Sequence, residues 1–288
     1  MRRLVALALL LASAPVAALE VVASIRPLAL IADAVVTPGD RVQQLVPDGA
    51  SGHHYALRPS DRALLARADL VFWVGPVHEH FLGKALASRP AIAAQALPGL
   101  VRRPVRRLAD AQPVPETLDA HLWLEPANAI AMARALATAL AARAPEKAAQ
   151  YHANAEAFAA RLGAATATWP VRLAALRTQP FISYHDAYHY LDAHLGLRFR
   201  GSLTHEPEHA PGARHVLAMR QRVTAENIRC LLLEPGADPA LAARVFGTQP
   251  HRAVAIDEMF RAAPRGADGY VTGLSAMVDG MARCLGGA

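Results

Sequence analysis

Short apolar runs alternate with helix-patterned segments along almost the whole chain, and this alternation restricts the fold more than any other feature. Residues 20–25, 42–46 and 70–75 read as strands, and 121–124 as a short fourth. Between them, residues 28–36, 59–68 and 127–144 have helical patterns, with Ser60 placed to cap the second. Strands alternating with helices imply βαβ units and a mainly parallel sheet. The pattern then breaks. Residues 145–177 are rich in Ala with Glu, Lys, Gln and Arg, a composition that favours helix. Pro145 suits a first turn. Pro170 predicts a kink or an interruption, and Gly163 a weak point. We read the segment as a connector between two lobes; a surface helix of a single domain is the alternative.

The alternation resumes with strands at 180–184, 198–203, 230–233 and 253–256, and helices at 187–195, 213–226, 239–246 and 271–284. The expected fold is α/β: two lobes with mainly parallel central sheets, bridged by a long helix. The divisions are 1–18, 19–144, 145–177 and 178–288. No internal repeat is visible in the sequence. Ligands of such sheets bind beyond the carboxyl ends of the strands, so the cleft between the lobes is the expected site.

The first residues speak to compartment. Arg2 and Arg3 precede the apolar run 4–11, and small residues follow at 15–18. That is the pattern of a cleaved secretory signal, with cleavage expected after Ala18. The run is shorter than the roughly 20 residues of a membrane span. No later stretch is apolar enough, so no membrane insertion of the mature chain is expected. Neither Cys230 nor Cys284 lies near the signal, so no lipid anchor follows it. In an oxidising compartment the pair favours a disulfide, worth about 4 kcal/mol by chain entropy, with two buried thiols as the alternative. The formal charge of +6 falls to +4 without Arg2 and Arg3. Basic residues are scattered and no nucleic-acid motif appears, so a nucleic-acid partner is excluded. The one dense cluster, Arg102, Arg103, Arg106 and Arg107, reads as a solvated loop.

Thirteen histidines among 288 residues turn attention to metals. His53 follows a predicted strand and a Gly-containing turn. His121 lies beside the short fourth strand, and His185 ends the first strand of the second lobe. Three imidazoles at strand ends, two in one lobe and one in the other, can converge on one cleft. There is no phosphate loop, no nucleophile elbow and no HExxH helix.

Three separated motifs now combine: Pro47-Asp-Gly-Ala-Ser-Gly-His-His-Tyr-Ala-Leu-Arg-Pro-Ser-Asp61, Asp119-Ala-His-Leu-Trp-Leu124 and His185-Asp-Ala-Tyr188. With Pro207-Glu208, Pro211-Gly212-Ala213, Cys230, Glu234-Pro235 and Cys284, the chain resembles the periplasmic zinc-uptake proteins. These belong to the metal-binding class of ABC-transporter solute-binding proteins. The resemblance implies two α/β lobes bridged by a helix, a Cys230–Cys284 disulfide, and Zn²⁺ held by His53, His121 and His185. It implies a monomer that delivers its ion to a membrane permease rather than an enzyme. It offers Asp257 as a fourth ligand, with a water-bridged or supporting role for Asp257 equally open. Imidazoles suit zinc, whereas the manganese-type relatives have an acidic residue where His185 stands here; a manganese- or iron-binding member of the same family is the alternative.

The chain departs from the pattern in places. The stretch before His121 has arginines where many zinc-type members have histidines. His54 and His189 replace other residues; His54 is either an alternative nitrogen or a solvent-facing neighbour. Asp186 could orient an imidazole or cap a helix. His78 and His80 lie on a strand-end loop and could edge the cleft or hold a second metal, and His205, His209 and His215 surround an acidic loop that reads as solvated, with a weak surface site as the alternative. A zinc-dependent hydrolase is the rival from another class, since catalytic zinc also takes three histidines. A surface adhesin is a third reading, disfavoured by the missing anchor.

Overall fold

The computed structural model describes residues 18–108, 110–206, 210–238 and 240–286. The proposed signal segment lies outside the described residues except for Ala18. The first lobe holds a four-stranded parallel sheet. Its strands are β1 (Glu20–Ala23), β2 (Arg41–Gln44), β3 (Leu70–Trp73) and β4 (Ala91–Ala93), in the order β2-β1-β3-β4. Val21 pairs with Val42 on one side and Leu70 on the other. All four residues of β3 are buried, as strands covered on both faces must be. Helices α1 (Arg26–Val35), α2 (Pro59–Arg67) and the short α3 (Gly83–Leu86) supply the crossovers.

The second lobe repeats this plan. Strands β5 (Pro180–His185), β6 (Arg198–Thr204), β7 (Cys230–Leu233) and β8 (Arg252–Ala255) form a parallel sheet in the order β6-β5-β7-β8. Second, first, third, fourth is the order in both lobes, so the repeat absent from the sequence is present in the topology. Helix α4 (Pro126–Ala141) follows, and then the 25-residue α5 (Ala148–Arg172) in the connecting segment. Helices α6 (His189–Leu195), α7 (Ala213–Ala225), α8 (Ala240–Phe246) and α9 (Gly269–Gly286) complete the chain.

Helix α5 forms because a stripe of Tyr151, Ala155, Phe158, Leu162 and Trp169 recurs at helical spacing and is buried. Pro170 does not break it. The ring is exposed in the last turn, and the helix continues only to Arg172, so one lost hydrogen bond on the solvent side is tolerated. One apolar core includes Leu30 of α1, Trp169 of α5, Ile256 after β8 and Tyr270 of α9, and so joins both lobes. Cys230 and Cys284 form a disulfide between β7 and α9.

Two expectations change. Residues 121–124 are not a strand: Leu122–Leu124 form a buried 3₁₀ turn that leads into α4. The run is apolar because it is buried, not because it pairs, and Glu125-Pro126 starts a helix at once. The first sheet's fourth strand is Ala91–Ala93, three residues at the edge with a weak sequence signal. Ser60 lies inside α2, whose N-cap position is Arg58, with Asp61 Oδ2 accepting from the Arg58 amide at 2.7 Å.

Candidate metal centre

Each imidazole of the expected set is aimed by its own local device. His53 lies in the turn after β2, where Gly49 has φ +86° and Ser51 Oγ accepts the amides of His53 and His54 at 3.1 and 3.3 Å. His121 immediately precedes the 3₁₀ turn. Asp119 Oδ1 accepts its amide at 3.0 Å and meets its Nδ1 at 2.7 Å. Tyr190 OH donates to the Asp119 carbonyl at 3.1 Å, fixing that residue from the other lobe. His185 is the last residue of β5, and its Nδ1 is hydrogen-bonded to Glu234, just beyond β7.

The ligating atoms of His53, His121 and His185 all lie within 4.8 Å of one another. His121 Nε2 and His185 Nε2 are 3.4 Å apart. With each Nδ1–H given to a carboxylate, each Nε2 presents a lone pair to the other. Two facing lone pairs need a proton or a cation between them. Zinc–nitrogen bonds of about 2.0–2.1 Å at tetrahedral angles would place two donors about 3.3 Å apart. The spacing therefore suits one tetrahedral ion.

Protons compete with a metal ion for these imidazoles, and an ion binding His185 has to displace one. Burial opposes a charge on His185, but the hydrogen bond and charge of Glu234 outweigh it and raise its pKa to about 9. His53 is lowered, first by burial and then by the imidazoles of His78, His121 and His185, so it stays neutral. Burial also opposes the charge of Asp119, yet His121 holds its pKa below the usual carboxylate value.

The three rings open on a cavity of about 280 Å³, also lined by His78, Trp123, Glu234 and Glu258. Its lining residues follow the carboxyl ends of β2, β3, β5, β7 and β8. Glu258 is buried, and its Oε2 has no hydrogen-bond partner. Burial and the nearby Glu234 carboxylate raise its pKa to about 7. Trp123 Nε1 donates to the Glu258 carbonyl at 2.9 Å and holds this segment against the first lobe. An unsatisfied buried carboxylate oxygen facing a cavity is what a cation would complete.

Asp257 is not brought to the three imidazoles. Its carboxylate accepts the amides of Met259 and Arg261 at 3.1 and 2.6 Å and pairs with Arg261 Nε at 3.0 Å, shaping the turn after β8. The strand-end position was legible, but its neighbour Glu258 faces the cavity. His78 edges the cavity, as its strand-end loop allowed, whereas Glu234, just beyond β7, was not expected to line it.

His54 lies outside the triad and meets Glu206 across the lobes at 3.0 Å. His80 is exposed, with its ring 6.3 Å from that of His54. His189 is hydrogen-bonded to the Pro104 carbonyl and His215 to that of Ser202. His205 is exposed, and His209 lies outside the described residues. The arginine cluster is not a solvated loop throughout. Arg106 is buried over the Phe199 ring, 3.7 Å from its centroid, and binds both Asp186 and Asp192. Asp186 thus serves Arg106 instead of an imidazole or a helix cap.

The comparisons agree with this architecture. A protein named high-affinity zinc uptake system protein ZnuA from Yersinia pestis is 32% identical over 308 residues, covering 98% of this chain and 96% of its own. The protein of the same name from Brucella abortus (strain 2308) is 28% identical over 304 residues, covering 92% and 91%. The solved laminin-binding protein Lmb of Streptococcus agalactiae, described as having adhesin and metal-transporting activity, shares the fold. Its TM-score is 0.79 at 22% identity, over 93% of this chain and 99% of that one. The profile of one family matches residues 21–284. The chain therefore belongs to the ZnuA family, described as the periplasmic component A of the zinc-uptake complex.

Proposed function

We propose that this protein captures Zn²⁺ between its lobes and delivers it to the membrane permease of an ABC-type importer. The observation that carries this is the pair of Nε2 atoms 3.4 Å apart, each ring backed by a carboxylate on Nδ1, with His53 beside them. His53, His121 and His185 are the ligands in this reading, and Glu258 takes the fourth position instead of Asp257. Asp119, Glu234 and Glu258 offset the charge of a dication bound by neutral imidazoles. Nitrogen-rich donors favour zinc over manganese.

Four filled positions suit a carrier, whereas a catalytic zinc keeps one open for water. The ion is cargo, and the protein is not an enzyme. The family's description, and the names of the Yersinia and Brucella relatives, support zinc uptake in the periplasm. Among the described residues no helix is long and apolar enough to cross a membrane; export behind a cleaved leader at residues 1–18 is part of this reading. In this reading the working unit is a monomer, with lobes 19–144 and 178–288 joined by residues 145–177.

The test is zinc content and competitive zinc titration of the purified protein beside His185→Ala. One tightly held zinc per chain, weakened in the variant by at least roughly the 10–100-fold that supporting groups alone are worth, is the expected result. Zinc bound equally well by both proteins would rule the site out.

A further inference from the structure

His78 has no part in the three-ring set, yet it is buried in the same cavity. Its ring centroid is 4.3 Å from that of His53 and 6.2 Å from that of His121. The pairs in the proposed set are comparable: 5.7 Å for His53 and His121, and 5.3 Å for His121 and His185. Two imidazoles on one tetrahedral zinc have centroids about 5 Å apart, given bonds of about 2.0–2.1 Å. So the rings of His53, His78 and His121 are near the spacing one ion needs, although the His78 nitrogens are not yet among the ligating atoms within 4.8 Å of one another. All three come from the first lobe, whereas His185, Glu234 and Glu258 come from the second.

We propose that His53, His78 and His121 form a second, overlapping zinc site that belongs to the first lobe alone. This deepens the zinc reading given above and rests on it. In the present arrangement His78 Nδ1 is 3.6 Å from Glu79 Oε1, and the ring stands edge-on to Trp123 at 5.2 Å. Joining the ion takes a turn of the His78 ring toward His53 and His121. Room for the ring exists because residue 52 is glycine. A Cβ at Gly52 would lie 2.4 Å from His78 Cε1, closer than any side chain tolerates.

The chemistry gives the second set a purpose. Any separation of the lobes withdraws His185, Glu234 and Glu258 together. A metal held by His53 and His121 alone would then have two protein ligands. His78 supplies the third, so zinc can land on, or leave from, the first lobe without becoming a two-coordinate ion. No carboxylate belongs to this set, so it holds zinc more weakly than the complete site. That is the order required of an intermediate stage in capture or release.

The experiment is X-ray absorption at the zinc edge on the zinc-loaded His185→Ala protein, joined to chelator competition on His185→Ala and His78→Gln/His185→Ala. Three imidazoles around the ion in His185→Ala are expected, with affinity at least roughly tenfold weaker again in the double variant. Two imidazoles, or a double variant that binds as His185→Ala does, would overturn the proposal. The imidazole count needs no substitution at His78, so a misfolded double variant leaves the proposal open to refutation. If His185→Ala binds zinc as tightly as wild type, the underlying three-histidine reading fails instead, which is a separate outcome.

Discussion

At the scale of single residues, the site depends on groups that touch no metal. Glu234 fixes the His185 ring by its Nδ1 and holds its tautomer, so that Nε2 faces His121. Glu234→Gln keeps the shape and loses the charge. We expect zinc affinity to fall roughly 10–100-fold, with the fold and the one-to-one stoichiometry retained. Competitive titration checks this, and an unchanged affinity would mean that packing alone orients His185. The three histidines were readable from sequence, because imidazole is a distinctive ligand, but the strand end read for His121 is the start of a 3₁₀ turn. The supporting carboxylates were not, since acidic residues are common in loops and only the fold reveals which of them faces inward. Asp257 and Glu258 are adjacent in the chain, and the turn after β8 alone decides that the second faces the cavity.

At the scale of elements, Asp40 binds three segments together. Its carboxylate accepts the Leu19 amide at 3.0 Å, Thr37 Oγ1 at 2.7 Å and Tyr151 OH of α5 at 2.9 Å, and pairs with Lys147 at 2.8 Å. Its side chain is fully covered. Burial works against the charge, but Lys147 and the Leu19 and Thr37 donors outweigh it and lower the pKa to about 2. Since the folded value lies below the unfolded one, the contribution is present above about pH 4 and is lost as pH falls through about 2. Asp40→Asn should therefore cost about 2 kcal/mol at pH 7 and progressively less under acid. Chemical denaturation at pH 7 and pH 2.5 would show it; an equal cost at both would refute it. Most elements were legible because helical stripes and buried strands have different periods. The exceptions are instructive. The 121–124 run is buried without a ladder partner, and Ala91–Ala93 pairs although it is only three residues long and mostly alanine.

At the scale of the whole molecule, contacts between lobes are numerous and partly ionic. Arg26 donates to the carbonyls of Phe260 and Ala263 at 3.0 and 2.6 Å, and Arg106 bridges to Asp186 and Asp192. Burial raises the Asp192 pKa to about 7 even against the opposing charge of Arg106. Arg106→Met would leave two buried carboxylates without their partner, at a cost of about 3–5 kcal/mol. Thermal unfolding of Arg106→Met beside Arg106→Met/Asp186→Asn/Asp192→Asn tests this, with partial recovery expected in the triple variant. No loss in the single variant would show that the bridge is dispensable. So interlocked a pair of lobes suits small shifts more than a wide hinge.

The amino-acid sequence by itself determined the α/β class, the two-lobe plan with its long helix, the cysteine pair and the three principal histidines. Each of these is written in local periodicity or in residue types with few alternative uses. Only the tertiary structure decided that Glu258 and not Asp257 faces the cavity, that His78 joins it, and that Arg106 crosses to the second lobe. Those choices depend on which side chains meet across distant segments. The chain order of the residues does not contain that information until packing brings the segments together.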